Sequence, residues 1–166
     1  MAKSASEATA KVETIISGGQ TGADQGALDA AIALGIPHGG WVPKGRLTEA
    51  GTLPDKYHLK EMTSASYPKR TEKNILESNG TLILTYGRLT GGSALTAKLA
   101  KTHQRPCLHI DLGALSINEA AERVRQWLAS NLIETLNVAG SRASRAPNIH
   151  QATVEVLMLA LSDLRK

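Results

Sequence analysis

Phenylalanine is absent from this chain of 166 residues, which also holds only two Trp, three Tyr and one Cys. The single cysteine, Cys107, excludes an internal disulfide and fits a reducing compartment. With so few aromatics, the core must be built from Leu, Ile, Val and Ala, and no stacking pattern for unpaired bases exists. No apolar run approaches the ~20 residues needed to span a bilayer. Residues 1–11 are small and polar, without the apolar segment of a signal peptide. The expectation is a cytoplasmic protein with no membrane contact, in which residues 1–11 form a disordered tail and residues 12–166 a single domain. His38, His58, His103 and His150 show no ligand spacing, so no metal held by side chains is expected. The formal charge of +4 and pI near 9.3 describe a mildly basic surface. That is compatible with a small anion and is by itself weak evidence for nucleic acid. Nucleic acid is not expected as a partner, because neither a stacking pattern nor a recognised module is present.

What the chain does have is alternation. A β-rich run at 12–17 leads through Gly18-Gly19 into a helix expected over 22–34, stopped by Gly35-Ile36-Pro37. A second strand is expected over 38–42. The long stretch 43–66 has little periodicity beyond a short strand at 56–62, and its role is open. Then follow a helix at 68–78, a buried strand at 81–86, a turn at 87–92, a helix at 93–102 and a strand at 106–112. Ser116 and Glu119 form a capping box opening a helix with Ala120, Ala121, Val124, Trp127 and Leu128 on one face. A strand at 135–140 and a helix at 147–164 complete the chain. Strands alternating with helices imply right-handed crossovers and a mostly parallel sheet, hence a Rossmann-like three-layer α/β sandwich. The alanine-rich helices and the apolar last helix suggest a homo-oligomer.

Ligands of such sheets bind at the strands' C-terminal edge, so three turns carry the functional weight. In the first, Gly18, Gly19 and Gly22 free the backbone amides around Gln20 and Thr21, and the following helix start favours negative charge. The other reading is a tight turn with Thr21 as N-cap and Asp24 closing a capping box. In the second, Gly87, Thr90, Gly91, Gly92 and Ser93 repeat the pattern, with Thr90 or Ser93 able to cap the helix or bind phosphate. The third offers Arg142 and Arg145 as forked donors to an oxyanion, or simply a solvated basic loop. Lys44 and Arg46 add charge or face solvent, and Arg70 and Asn74, a turn apart on one helix, face the crevice or water. Cys107, His109 and Asp111 share a face of their strand. A strand inside a parallel sheet is buried on both sides, so Cys107 is expected to pack as a small hydrophobe, and only Asp111 to come near ligand.

Four segments carry a family resemblance. They are Ile15-Ile16-Ser17-Gly18-Gly19-Gln20-Thr21-Gly22-Ala23-Asp24, Tyr67-Pro68-Lys69-Arg70-Thr71-Glu72-Lys73-Asn74, Gly80-Thr81-Leu82-Ile83 and Leu136-Asn137-Val138-Ala139-Gly140-Ser141-Arg142. In this order they resemble the candidate molybdenum carrier proteins, also described as circularly permuted YpsA-like proteins, over residues 12–160. The resemblance implies a Rossmann-like fold related to the lysine-decarboxylase-like LOG proteins, with binding of a nucleotide or of the molybdenum cofactor. In LOG enzymes a Gly-Gly-x-Gly-Thr-x-x-Glu turn binds phosphate and supplies a carboxylate. Here Gly91-Gly92-Ser93-Ala94-Leu95-Thr96-Ala97-Lys98 keeps the first two glycines and puts Lys98 in place of the glutamate.

Two functions follow. One is a binding or carrier protein whose ligand phosphate sits on the amides of Gly19–Gly22 and Gly91–Ser93, with the molybdenum cofactor as a cargo whose metal stays on its own dithiolene sulfurs. The other is a nucleotide-processing hydrolase of phosphoribohydrolase type. It needs a general acid or base, for which Asp24 is the candidate, with Asp111 and Glu72 behind it.

Overall fold

The computed structural model describes residues 11–162, so the tail expected over 1–11 lies, Lys11 apart, outside the described residues. The elements in chain order are β1 (Thr14–Ser17), α1 (Ala23–Leu34), β2 (His38–Gly39), β3 (Trp41–Val42), β4 (Leu47–Thr48), β5 (Gly51–Thr52), β6 (Lys60–Glu61), α2 (Tyr67–Leu76), β7 (Gly80–Thr85), α3 (Gly91–Thr102), β8 (Cys107–Asp111), α4 (Ile117–Asn131), β9 (Thr135–Gly140) and α5 (Ile149–Ser162).

Five strands form one parallel sheet in the order β2-β1-β9-β7-β8. The last strand of the chain sits in the middle. Counting from β9 instead, the spatial order reads 3-2-1-4-5, that of a doubly wound Rossmann sheet. The topology is therefore a circular permutation of that order, and the point where the winding reverses lies between β9 and β7.

The central strands are mostly apolar because both of their faces are covered, and the buried Asn137 of β9 donates to Thr81 Oγ1 of β7. All six residues of β7 are buried. Helices α1, α4 and α5 pack together over one face, and α2 and α3 over the other, which completes the three layers. The stripe Ile149, Ala152, Val156, Leu157, Ala160 and Leu161 of α5 is buried within the chain. Gly26 makes the tight α1–α5 approach, since a Cβ there would lie 2.6 Å from the His150 carbonyl oxygen. The capping box of α4 is formed: Glu119 N–H donates to Ser116 Oγ at 3.1 Å, and Ser116 N–H to Glu119 Oε1 at 2.9 Å. Trp127 lies only partly buried against the core, so the hydrophobic face of α4 is narrower than its pattern implies.

Two expectations are corrected. The strand expected over 38–42 is broken at Gly40, whose φ is +121° and whose Cβ would lie 2.1 Å from the Ser17 carbonyl oxygen. His38–Gly39 stays beside β1, while Trp41–Val42 leaves the sheet to pair with β6. The stretch after it is a small annex with its own core of Leu28, Val42, Leu53, Tyr57 and Leu59, plus a β4–β5 hairpin. The second correction concerns Cys107. It is exposed, because β8 is an edge strand and only one of its sides is paired.

Candidate functional site

At the reversal between β9 and β7, the chain departs in opposite directions: β9 runs into the loop at 141–148, and β7 into the turn that begins α3. Diverging loops leave a crevice at such a point. Here it is a cleft of about 370 Å³ walled by Gly18, Gln20 and Asp24, by Arg70, Thr71 and Asn74 of α2, by Thr90–Ser93 and Thr96, and by residues 137–142, Ser144 and Arg145. Its size falls within the range of small-ligand sites.

The first turn is closed on itself. Its helix starts at Gly22 (φ +86°) as N-cap, where a Cβ would lie 2.4 Å from the Ser141 carbonyl oxygen. Thr21 is not the cap. Gly19 N–H donates to Ser17 Oγ at 3.2 Å, Gln20 N–H to Asp24 Oδ2 at 3.1 Å and Thr21 N–H to Gln20 Oε1 at 3.0 Å. Of the amides expected to receive phosphate, those of Gly19, Gln20 and Thr21 are thus already satisfied, and the Asp24 carboxylate is the anion that the turn holds. Asp24 is 7 % exposed. Burial pushes its carboxyl up to about 6, against the pull of Arg70, the Gln20 amide and Arg142.

Arg70 is the cation facing it. Buried to 9 % exposure, its guanidinium donates through Nη1 to the Gly18 carbonyl oxygen and lies 5.5 Å from the Tyr67 ring centre. Burial pulls its pKa down, and Asp24 partly offsets this. A Cβ on Gly18 would fall 2.2 Å from Arg70 Nη1, so that glycine makes room for the arginine rather than for a ligand. Asn74, one turn on, accepts from Trp41 N–H at 2.9 Å and donates to Trp41 O at 3.2 Å, pinning β3 beside the cleft.

The second turn is open. Ser93 Oγ accepts from Thr90 N–H at 3.0 Å and donates to Thr90 O at 2.7 Å, so its hydroxyl is used in capping. The amides of Gly91 and Gly92, the first two of α3, meet no acceptor among the described residues. Both glycines are exposed, and a Cβ on either would touch nothing within 4 Å. Two unpaired N–H groups at the positive end of a helix dipole are an anion site in waiting.

Gly18, Gln20, Asp24, Thr90, Gly91, Gly92, Ser93, Arg142 and Arg145 line the cleft. Gly19, Thr21, Gly22, Gly87 and Lys44 do not. Gly19 faces the annex, where a Cβ would meet Val42 at 2.9 Å and Leu59 at 3.2 Å. Gly87 N–H donates to Asp111 Oδ1 at 2.7 Å, and Asp111 also accepts from Gly113 N–H at 2.8 Å, so this aspartate braces two turns instead of meeting ligand. Lys44 is exposed on the annex, its N–H bonded to the Ser64 carbonyl oxygen. The cleft residues not expected as site residues are Thr71, Thr96, Asn137, Val138, Ala139, Gly140, Ser141 and Ser144, and Arg70 and Asn74 were left undecided. The signals available for them were the one helical turn separating Arg70 from Asn74 and the family resemblance of the segments 67–74 and 136–142, which hold Thr71 and residues 137–141.

Among the described residues no group of three His, Cys, Asp or Glu could hold a metal ion, and no helix is long and apolar enough to cross a membrane. No curated protein matches the chain. A crystal structure of a protein from Syntrophus aciditrophicus SB, described as a candidate molybdenum carrier protein, is 54 % identical. The match covers 92 % of this chain and 97 % of that one, with a TM-score of 0.90. The model of the circularly permutated YpsA SLOG family matches residues 15–161, and its description accords with the strand order found here. The chain belongs to the circularly permuted YpsA family of SLOG proteins.

Proposed function

We propose that this protein binds a small phosphorylated ligand, a nucleotide or the molybdenum cofactor carried as cargo, in the cleft between the ends of β7 and β9. The observation that carries this reading is the pair of unpaired amides at Gly91 and Gly92, opening on a cleft that also holds Arg70, Arg142 and Arg145. Helix dipole, free N–H groups and guanidinium forks all favour the same negative charge. The Syntrophus relative's description as a candidate carrier supports the cargo form. In that form the pterin phosphate is held by α3 and the arginines, and the metal rides on the cofactor's own sulfurs.

The test is gentle purification, denaturation and mass spectrometry of the released small molecule, run beside Gly92→Asp. A Cβ at this open position meets nothing within 4 Å, and the carboxylate it carries repels anions. A phosphorylated species is expected from the parent chain and a greatly reduced amount from Gly92→Asp. Equal retention by both removes α3 from the site.

One observation favours the hydrolase reading as well: Asp24, on the cleft wall, has its carboxyl raised to about 6, the range of a general acid or base working near neutral pH. Its ties to the Gln20 amide favour a structural role. Asp24→Asn separates the two readings. A carrier keeps ligand affinity and shows no turnover in either form, whereas a hydrolase turns over nucleotide and loses that activity in the variant.

A further inference from the structure

The β4–β5 hairpin buries little of itself: Leu47 is 57 % exposed, and Gly51 and Thr52 are exposed. Its turn is closed internally, with Thr48 Oγ1 donating to Gly51 O at 2.8 Å and accepting from Ala50 N–H at 3.1 Å. Polar contacts fasten the tip to the body. Glu49 N–H donates to Gln20 Oε1 at 2.9 Å, and the Glu49 side chain, 20 % exposed, enters a ring of donors. Its carboxylate accepts from the Thr21 hydroxyl, from Ser144 N–H at 3.0 Å and from Ser144 Oγ at 2.6 Å. Arg142 Nη1 lies 3.9 Å away.

One backbone amide, two hydroxyls and a guanidinium around one carboxylate are the donor set that a phosphate takes. We propose that Thr21, Arg142 and Ser144 form a second anion subsite, filled in this structure by the chain's own Glu49, which an anionic group of the ligand displaces, freeing the hairpin. Arg142 and Ser144 also line the cleft, so the subsite opens on the same space as the start of α3. A phosphate brings up to two charges and three acceptor oxygens where Glu49 brings one charge and two oxygens. The displacement is a competition between anions for one set of donors. The ligand class this selects carries two anionic groups, one on the amides of Gly91 and Gly92 and one in the Glu49 subsite. The inference rests on the cleft reading for the first group only.

The experiment titrates inorganic phosphate, read by 31P NMR, into Gly92→Asp and into Glu49→Ala/Gly92→Asp, so that the site at α3 is removed from both. The double variant is expected to bind phosphate at least about tenfold more tightly than Gly92→Asp, and to lose most of that gain when Ser144→Ala is added. Equal affinity of the two overturns the subsite while leaving the cleft reading standing. A gain with Glu49→Ala, joined to undiminished phosphate binding by Gly92→Asp alone, supports the subsite and overturns the role given to α3. Should Glu49→Ala fold poorly, Glu49→Gln takes its place and is expected to show a smaller gain in the same direction. In the unaltered chain, hydrogen exchange of the amides at 50–52 is expected to accelerate as phosphate is added; protection unchanged across the titration contradicts the proposal.

Discussion

Asp24 is charged at neutral pH in a place that resists charge, and this gives stability a defined pH dependence. Its carboxyl sits at about 6 in the folded chain against 3.8 unexposed to that environment. The folded state therefore holds a proton through a window in which the unfolded chain has lost it, and stability from this group falls as pH rises from about 4 to 6. Asp24→Asn mimics the protonated form. Denaturant melts at pH 4 and pH 7 are expected to show the variant gaining on its parent by up to about 3 kcal/mol across that interval; a pH-independent difference refutes the buried charge. At Gly18, an added methyl meets first the buried guanidinium of Arg70. Gly18→Ala is expected to cost about 2 kcal/mol or more in a denaturant melt and to weaken phosphate binding in calorimetry, because Arg70 must leave its seat beside Asp24.

At the scale of elements, the end of β9 tolerates least. Gly140 has φ +155°, and a Cβ there would lie 2.0 Å from the Leu84 carbonyl oxygen of β7. That atom is backbone of a fully buried strand and cannot move aside. Gly140→Ala is expected to cost about 3 kcal/mol or more in a denaturant melt, whereas Gly92→Asp at the open start of α3 is expected to leave stability within about 0.5 kcal/mol. The same contrast explains what the sequence made legible. Glycine at the start of α3 and glycine at the start of α1 look alike in one dimension. Only the packing shows that Gly19 and Gly22 seat Val42, Leu59 and the Ser141 backbone, while Gly91 and Gly92 face open space. The long elements, with their caps at Ser116 and Gly35, were readable because local chemistry sets them. The annex at 41–61 was not, since its strands are two residues long and are defined by partners distant in sequence. Glu49 gave no signal at all, because its donors come from Thr21 and Ser144, far along the chain in both directions.

Across the whole molecule, the cleft is a product of sheet order rather than chain order. With β9 central, the loop after it and the turn after β7 diverge whichever strand is made first. A permuted chain opened in the α4–β9 connection at 132–134, with its original ends joined by a glycine–serine linker, is expected to fold cooperatively and to keep its affinity for phosphate. Loss of binding in a permutant that still folds would assign the site to the chain's connectivity instead. Anion binding also couples to stability, so phosphate is expected to raise the melting temperature of the parent chain and to raise that of Gly92→Asp much less.

The central claim concerns which backbone amides meet the anion. A 15N-resolved amide titration with inorganic phosphate reads this directly. The resonances of Gly91 and Gly92 are expected to shift most, with those of Gly19 and Gln20 nearly still, because Ser17 and Asp24 already hold the latter pair. Large shifts at Gly19 and Gln20 with none at Gly91 and Gly92 would contradict the account.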